Sequence, residues 1–120
     1  MSETPLIDRA ILDDLFESIG VEGTRSVLEL FIGESRTYLA TIAEAAALPH
    51  DAATCERARR AAHSLKSGAG QIGAAAMAAA AAAVERAAFQ DAPDLPQAVS
   101  ALEECAEKTT AALMQLLGEK

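Results

Sequence analysis

The sequence predicts an all-α protein, an up-down-up-down four-helix bundle with a short N-terminal helix capping one end. Of the 120 residues, 29 are alanine, the residue with the highest intrinsic helix propensity. Apolar residues recur at intervals of three and four along the chain, and no segment shows the alternation of a strand. Short connections between the periodic segments favour antiparallel neighbours. The length suits one domain, so residues 1–120 are expected to form a single unit.

Gly20 separates the first two predicted helices. The first helix starts at Thr4-Pro5 or at Asp8, since proline is favoured in a first turn and aspartate at a cap. Gly20 then stands where a C-terminal cap belongs. A second helix is expected over about residues 22–48, and the proline that follows ends it because the residue before a proline disfavours the α conformation.

Three more helices complete the predicted bundle. Asp51 is a candidate cap for a third helix that reaches about Ile72. An alanine-rich fourth helix is expected over about residues 72–90. A fifth helix follows, because Asp94 and Gln97 have the spacing of a capping box and an apolar seam continues behind them.

Charge and composition exclude several function classes. The formal net charge of −8 argues against nucleic acid or an anionic membrane surface as the main partner, since both require a basic face. The N-terminus has no signal-peptide pattern and no apolar run is long enough to span a bilayer. Cys55 and Cys105 make no disulfide framework. We therefore expect a cytoplasmic, monomeric protein without a metal site.

Enzyme and metal chemistry receive little support from the motifs. Ser64 and Ser67 lie near His63, but adjacent positions on a helix do not face each other and no oxyanion loop accompanies them. Cys55, His63 and Cys105 lack the spacing of zinc ligands. No glycine-rich nucleotide loop occurs. The other histidine, His50, is expected to be an exposed loop residue.

The segment from residue 57 to residue 73 carries the strongest functional signal. A core stripe of small and apolar residues on the third helix places His63 on the opposite, solvent-facing side. Four of the ten basic residues fall within residues 57–66, a local charge of +4 in an acidic chain. Gly68 and Gly70 lie inside the predicted third helix, although each glycine there lowers helix stability by roughly 1 kcal/mol relative to alanine. Their presence indicates that something approaches the backbone at this point.

Residues 63–73 read HSLKSGAGQIG. This run resembles the signature of histidine-containing phosphotransfer (HPt) domains, which combines a histidine, Leu-Lys two positions on, small residues and a final apolar residue with glycine. Helix order and length agree with that family across nearly the whole chain. The resemblance implies a four-helix bundle that carries a phosphoryl group between the receiver domain of a hybrid histidine kinase and a response regulator.

The resemblance also implies roles for individual residues. His63 would be phosphorylated on its exposed ring nitrogen, Nε2, and Lys66 would balance the phosphoryl charge. Ser67 stands where many members have glycine. Gly73 would allow tight packing where the third and fourth helices meet, and Gln71 has no assigned role. No cofactor is implied for this chain, since Mg²⁺ is expected on the partner receiver domain only.

The predicted docking surface surrounds His63. Small residues at its centre would let a receiver aspartate approach, and an apolar rim would bind the receiver. The first helix has more apolar residues than one buried stripe requires, so part of it should be exposed. The candidate partner-binding residues are Ile11, Leu15, Arg59, Arg60, Ser67, Gly68 and Gly70.

Two alternative functions compete with phosphotransfer. The dimerisation helix of sensor kinases also carries a phosphoacceptor histidine, but there an acidic residue follows it and a proline comes soon after. Here Ser64 follows His63 and no proline occurs before Pro93, so we expect no kinase activity. The alternative from another class is a non-catalytic helical adaptor that docks a partner through Ile11 and Leu15 and carries no phosphate.

Overall fold

The computed structural model describes residues 4–119 and shows four helices, α1 (Arg9–Ala47), α2 (Ala52–Gln71), α3 (Ala75–Ala87) and α4 (Leu95–Gly118). Helices α1 and α3 each pack against both α2 and α4. The four helices therefore form a square with α2–α3 and α1–α4 as opposite edges. The predicted all-α bundle is confirmed.

Gly20 divides α1 into two helical arms, at the position where the sequence predicts the break between the first two helices. At this residue φ is 74° and ψ is 179°, outside the helical range, and the helix continues directly on both sides. This conformation is accessible essentially only to glycine. The short N-terminal helix and the second helix predicted from the sequence are therefore the two arms of α1, and they meet at Gly20 without an intervening loop. The positive φ at the break is one that glycine supplies readily.

The N-terminal arm of α1 lies against the connection between α2 and α3. Asp8 is the cap, since its carboxylate accepts a hydrogen bond from the Ala10 N–H at 3.1 Å. Its own backbone N–H donates to the carbonyl of Gly73 at 2.7 Å. Leu12 is fully buried one turn further on. This arm therefore closes one end of the bundle, as the sequence predicted.

The N-termini of α2 and α4 differ from each other. Asp51 caps α2, accepting from the Ala53 N–H at 3.2 Å and the Thr54 hydroxyl at 2.6 Å. The hydrogen bond from Thr54 lowers the pKa of Asp51 below its ordinary value. The capping box predicted at Asp94 is wrong: this residue is in the αR conformation and its side chain accepts no capping hydrogen bond. A cap residue needs an extended backbone to direct its side chain at the first turn.

Helix α3 begins and ends inside its predicted bounds. Gly73 has φ of +83°, so a helix cannot run through it, and α3 starts at Ala75. It stops at Ala87, and Phe89 lies in the following loop with 60% of its surface exposed.

Small side chains let α3 pack closely on its neighbours. Its buried positions are Met77, Ala81, Val84 and Ala87, and the facing side of α2 is also rich in alanine. The large apolar residues that fill the core come mostly from α1 and α4, among them Leu28, Ile42, Leu102 and Leu113, all fully buried.

Replacing Gly73 with alanine should destabilise the protein by roughly 1–3 kcal/mol. A Cβ atom there would lie 2.7 Å from the carbonyl oxygen of Asp8, on a backbone with positive φ. Gly70→Ala is the matched control, since Gly70 is helical and a Cβ would meet nothing within 4 Å. Urea unfolding should show a loss for Gly73→Ala and a small gain for Gly70→Ala. Equal stability of the two variants would contradict the close approach of α1.

Candidate functional site

His63 lies near the middle of α2 on its outer face. Its side chain is 59% exposed, whereas Ala62 and Leu65 on the opposite face are buried. The core stripe thus orients the histidine toward solvent, as the helical period predicts. The imidazole is accessible to another macromolecule.

Glu85 on α3 joins His63 and Lys66. Its Oε2 atom lies 2.8 Å from Nδ1 of His63, and its Oε1 atom accepts a hydrogen bond from Nζ of Lys66 at 2.8 Å. The Glu85 side chain is only 21% exposed. One carboxylate of α3 therefore contacts both His63 and Lys66 on the neighbouring helix.

Glu85 is not among the residues that the sequence motif indicated. A signal was present, because Glu85 and its neighbour Arg86 are the only charged residues in α3. An isolated acid in an alanine helix marks a position where the helix faces something polar. Without the packing register of α3 on α2, however, nothing in the sequence pairs position 85 with position 63.

The hydrogen bonds determine which nitrogen of His63 carries the proton. The hydrogen bond from Lys66, and then that from His63, lower the pKa of Glu85 below its ordinary value, so its carboxylate is ionised near neutral pH and can only accept. Nδ1 must therefore carry the proton. In the neutral imidazole Nε2 then has the lone pair, and among residues 4–119 it has no hydrogen-bond partner.

The same shift makes the Glu85 contacts sensitive to acid. A carboxylate whose pKa is lowered on folding stabilises the folded state at pH values above its unfolded-state pKa. That contribution is lost as the pH falls through the lowered pKa of the folded state. The cluster of His63, Lys66 and Glu85 is therefore intact near neutral pH.

Acidic partners offset much of the positive charge on α2. Arg59 donates to both carboxylate oxygens of Glu56, with Nε 3.0 Å from Oε2, and Nε of Arg60 lies 3.3 Å from Oε1. The hydrogen bond from Arg59 lowers the pKa of Glu56. Three of the four cations in residues 57–66 thus pair with Glu56 or Glu85, whereas Arg57 donates to the Thr54 hydroxyl at 3.2 Å. The local charge falls from the predicted +4 to +2.

Three of the predicted partner-binding residues lie along the exposed side of α2 after His63. Ser67 and Gly70 are exposed, and Gly68 is partly exposed. A Cβ atom at Gly68 would lie 3.5 Å from the ring of Phe31, an ordinary van der Waals distance, so Phe31 of α1 packs over this part of α2. The centre of the predicted surface is therefore small, as expected.

The predicted apolar rim is only partly exposed. Ile11 is 38% exposed, but Leu15 is partly buried and packs against the core. Leu30, next to Phe31, is 64% exposed and was not predicted. Leu30 is the most exposed of the large apolar residues of α1, and its neighbour Phe31 packs against α2 near Gly68.

The remaining candidate residues lie away from this cluster. His50 is exposed in the loop after α1, where its Nδ1 atom lies 3.4 Å from the carboxylate of Asp91. Cys55 is buried, which raises the pKa of its thiol, and Cys105 is partly buried on α4. No group of three or more His, Cys, Asp or Glu residues within positions 4–119 has metal-binding geometry. In that part of the chain no helix has the length and apolar character to cross a bilayer.

This arrangement defines a helical bundle that presents an imidazole on the outer face of α2, with Nδ1 held by a carboxylate of the neighbouring helix. A sequence model described as the Hpt domain matches residues 26–117. The chain belongs to the Hpt family, whose function is histidine phosphotransfer in phosphorelays. Its members carry phosphoryl groups and interact with receiver domains and histidine kinases of two-component systems. All the site residues of α2 and α3 lie within the matched range.

The fold agrees with a solved structure of the same class. The crystal structure of histidine-containing phosphotransfer protein B (HptB) from Pseudomonas aeruginosa PAO1 superposes with a TM-score of 0.83, covering 97% of each chain at 22% sequence identity. A comparison with curated protein sequences finds no significant match.

Replacing Glu85 with alanine should change the tautomer of His63. Without the carboxylate, the neutral imidazole loses its preference for a proton on Nδ1. Long-range ¹H–¹⁵N NMR spectra should show Nδ1 protonated in the wild type and a mixed population in Glu85→Ala, with His50 signals unchanged as an internal control. An unchanged His63 tautomer would contradict the proton assignment.

Proposed function

We propose that His63 accepts a phosphoryl group on Nε2 from an aspartyl phosphate of a receiver domain and passes it to an aspartate of another receiver. The observation that supports this most directly is the pairing of Nδ1 with Glu85, which leaves Nε2 unprotonated and exposed. In the first transfer the Nε2–P bond forms as the aspartyl O–P bond breaks, and the carboxylate leaves. The second transfer reverses these steps on a different aspartate.

Glu85 stabilises the charge that develops on the ring. When a neutral imidazole attacks through Nε2, its proton stays on Nδ1 and the ring becomes positively charged. The carboxylate 2.8 Å away offsets that charge and accepts the hydrogen bond throughout, so no proton has to leave. A charge-assisted hydrogen bond of this kind is stronger than a neutral one.

Lys66 balances the charge of the phosphoryl group. It lies about one helical turn after His63, and its Nζ atom is held by Glu85 at 2.8 Å. A phosphoryl group on Nε2 would compete with Glu85 for this ammonium group. Since the Lys66 side chain is 38% exposed, its contribution is modest, and Lys66 assists the transfer without being indispensable.

We further propose the wider setting of this transfer. The donor is the receiver domain of a hybrid histidine kinase and the acceptor is a response regulator, and the chain acts as a cytoplasmic monomer without kinase activity of its own. It needs no cofactor, because Mg²⁺ is held by the receiver. An acidic chain of net charge −8 does not favour nucleic acid or membrane partners.

The docking surface proposed for the receiver combines α1 and α2. Ser67, Gly68 and Gly70 form its small centre, and Ile11 and Leu30 provide exposed apolar area at its rim. Arg60 offers a cation beside the centre, since its side chain is 76% exposed despite its contact with Glu56. Arg59, which pairs with Glu56, and Leu15, which is partly buried, would contribute only at the edge of this surface.

His63→Gln should abolish phosphoryl acceptance and leave the helix content unchanged, because glutamine has no nucleophilic ring nitrogen and the position is exposed. The protein is incubated with a phosphorylated receiver, and acid-labile, base-stable label on the chain is quantified. His50→Gln is the control and should accept phosphate as the wild type does. Label that persists in His63→Gln would refute the assignment.

Gly70→Trp and Leu30→Asp should weaken receiver binding by roughly tenfold or more, the effect expected at a central interface position. The indole would fill the open space at Gly70, where a Cβ meets nothing within 4 Å, about two helical turns after His63 on the same face of α2. Leu48→Asp is the matched control, since Leu48 is 51% exposed at the opposite end of α1. Titration calorimetry with the receiver measures the affinities, and thermal unfolding checks the fold. Equal affinities for all three variants would place the receiver elsewhere.

A further inference from the structure

An open groove runs along the α1–α4 edge of the bundle, away from His63. It lies between residues 29–39 of α1 and residues 100–114 of α4. His63, Lys66 and Glu85 lie on the α2–α3 edge, which is the opposite edge of the square. The groove is therefore separate from the proposed transfer site, and an occupant would leave His63 accessible.

The floor of the groove is apolar. Ile32 and Ala106 are buried there, and Leu39 is partly buried. Ser35 is also part of the floor, but its hydroxyl donates to the carbonyl of Ile32 at 2.8 Å, so its polar group is already satisfied. Met114 extends the apolar surface at one end and is 47% exposed.

Acidic side chains line the walls. Glu103, Glu104 and Glu107 line the α4 side, and Glu29 and Arg36 line the α1 side. Four carboxylates and one guanidinium give the groove a net charge of −3. In the part of the chain that the structure describes, none of these five groups takes part in an ion pair, so the acidic walls are not neutralised from within.

The dimensions match a helix. At 1.5 Å per residue, the α1 wall from residue 29 to residue 39 is about 15 Å long and the α4 wall from residue 100 to residue 114 is about 21 Å long. Three to four helical turns would fit that length. An amphipathic helix places apolar side chains at intervals of three and four, which is how helices dock into apolar grooves.

We propose that the α1–α4 groove binds an amphipathic, positively charged helix of a partner protein. The apolar side of that helix would cover the floor, and its lysine or arginine side chains would pair with the glutamates on the walls. Charge complementarity selects this occupant over a second copy of the chain, whose own net charge is −8.

Gly33 offers a direct way to close the groove. It lies on the α1 wall in a regular helix, and a Cβ added there would meet nothing within 4 Å. Gly33→Trp therefore fills the open space without a clash in the folded protein. Gly70→Trp is the matched control, because it makes the same change at an equally open glycine on the His63 side.

The test uses a fluorescein-labelled peptide of about 14 residues, with leucines at helical spacing and lysines elsewhere. Fluorescence anisotropy measures its binding to the full chain. The wild type and Gly70→Trp should bind alike, and Gly33→Trp should bind at least about tenfold more weakly. A peptide of the same composition with the leucines scrambled around the helix should bind more weakly than the patterned one.

A charge variant gives a second measurement. Glu103→Lys combined with Glu107→Lys should weaken binding and reduce its salt dependence, and His63→Gln should bind the peptide as the wild type does. Any of three results would overturn the proposal. Gly33→Trp binds the patterned peptide as tightly as the wild type does, the scrambled peptide binds the wild type as tightly as the patterned one does, or the wild type does not bind the patterned peptide. Concentration-dependent self-association that Gly33→Trp abolishes would instead assign the groove to a second copy. Since none of these measurements involves phosphoryl transfer, their failure leaves the proposed function standing.

Discussion

The carboxylate of Glu85, reaching from α3 to two side chains of α2, is the interaction on which the site depends. It can reach them because α3 packs through small side chains. Ala81 and Ala87 face the core on one side of the contact, and Ala58 and Ala62 on the other. Larger residues would hold the two helices further apart. The high alanine content therefore favours helix formation and also lets α3 pack close enough for the Glu85 carboxylate to lie 2.8 Å from the imidazole of His63.

The electrostatics of the site follow from that single carboxylate. By accepting from Nδ1 it determines which nitrogen of His63 is free, and by accepting from Lys66 it holds the cation near the place where phosphate would arrive. Together, Glu85 and Glu56 reduce the local charge around residues 57–66 from +4 to +2. A surface histidine beside unpaired cations would have neither a defined tautomer nor a counter-charge for a cationic ring.

The two glycines with positive φ in the described chain organise the end of the bundle near the N-terminal arm. Gly20 bends α1 so that its first arm crosses the bundle end, and Gly73 turns the chain from α2 into α3 while its carbonyl receives the Asp8 N–H. The same bend leaves Ile11 exposed beside α2 and Leu12 buried beneath it. The first arm of α1 therefore provides both the contact that closes the bundle end and an exposed apolar residue of the proposed docking surface.

The sequence by itself determined the helical class, the number and order of the periodic segments, the outward position of His63 and the family. These follow from local periodicity, glycine and cap chemistry, and one motif, all of which act over a few residues.

Tertiary structure alone decided which residues meet. The pairing of Glu85 with His63 spans 22 positions and depends on the register of α3 against α2, which a uniform alanine helix does not encode in its pattern. The partial burial of Leu15, the exposure of Leu30 and the open acidic groove between α1 and α4 arise in the same way. Each depends on how far one helix face is covered by its neighbour, and that is a property of packing and not of local sequence.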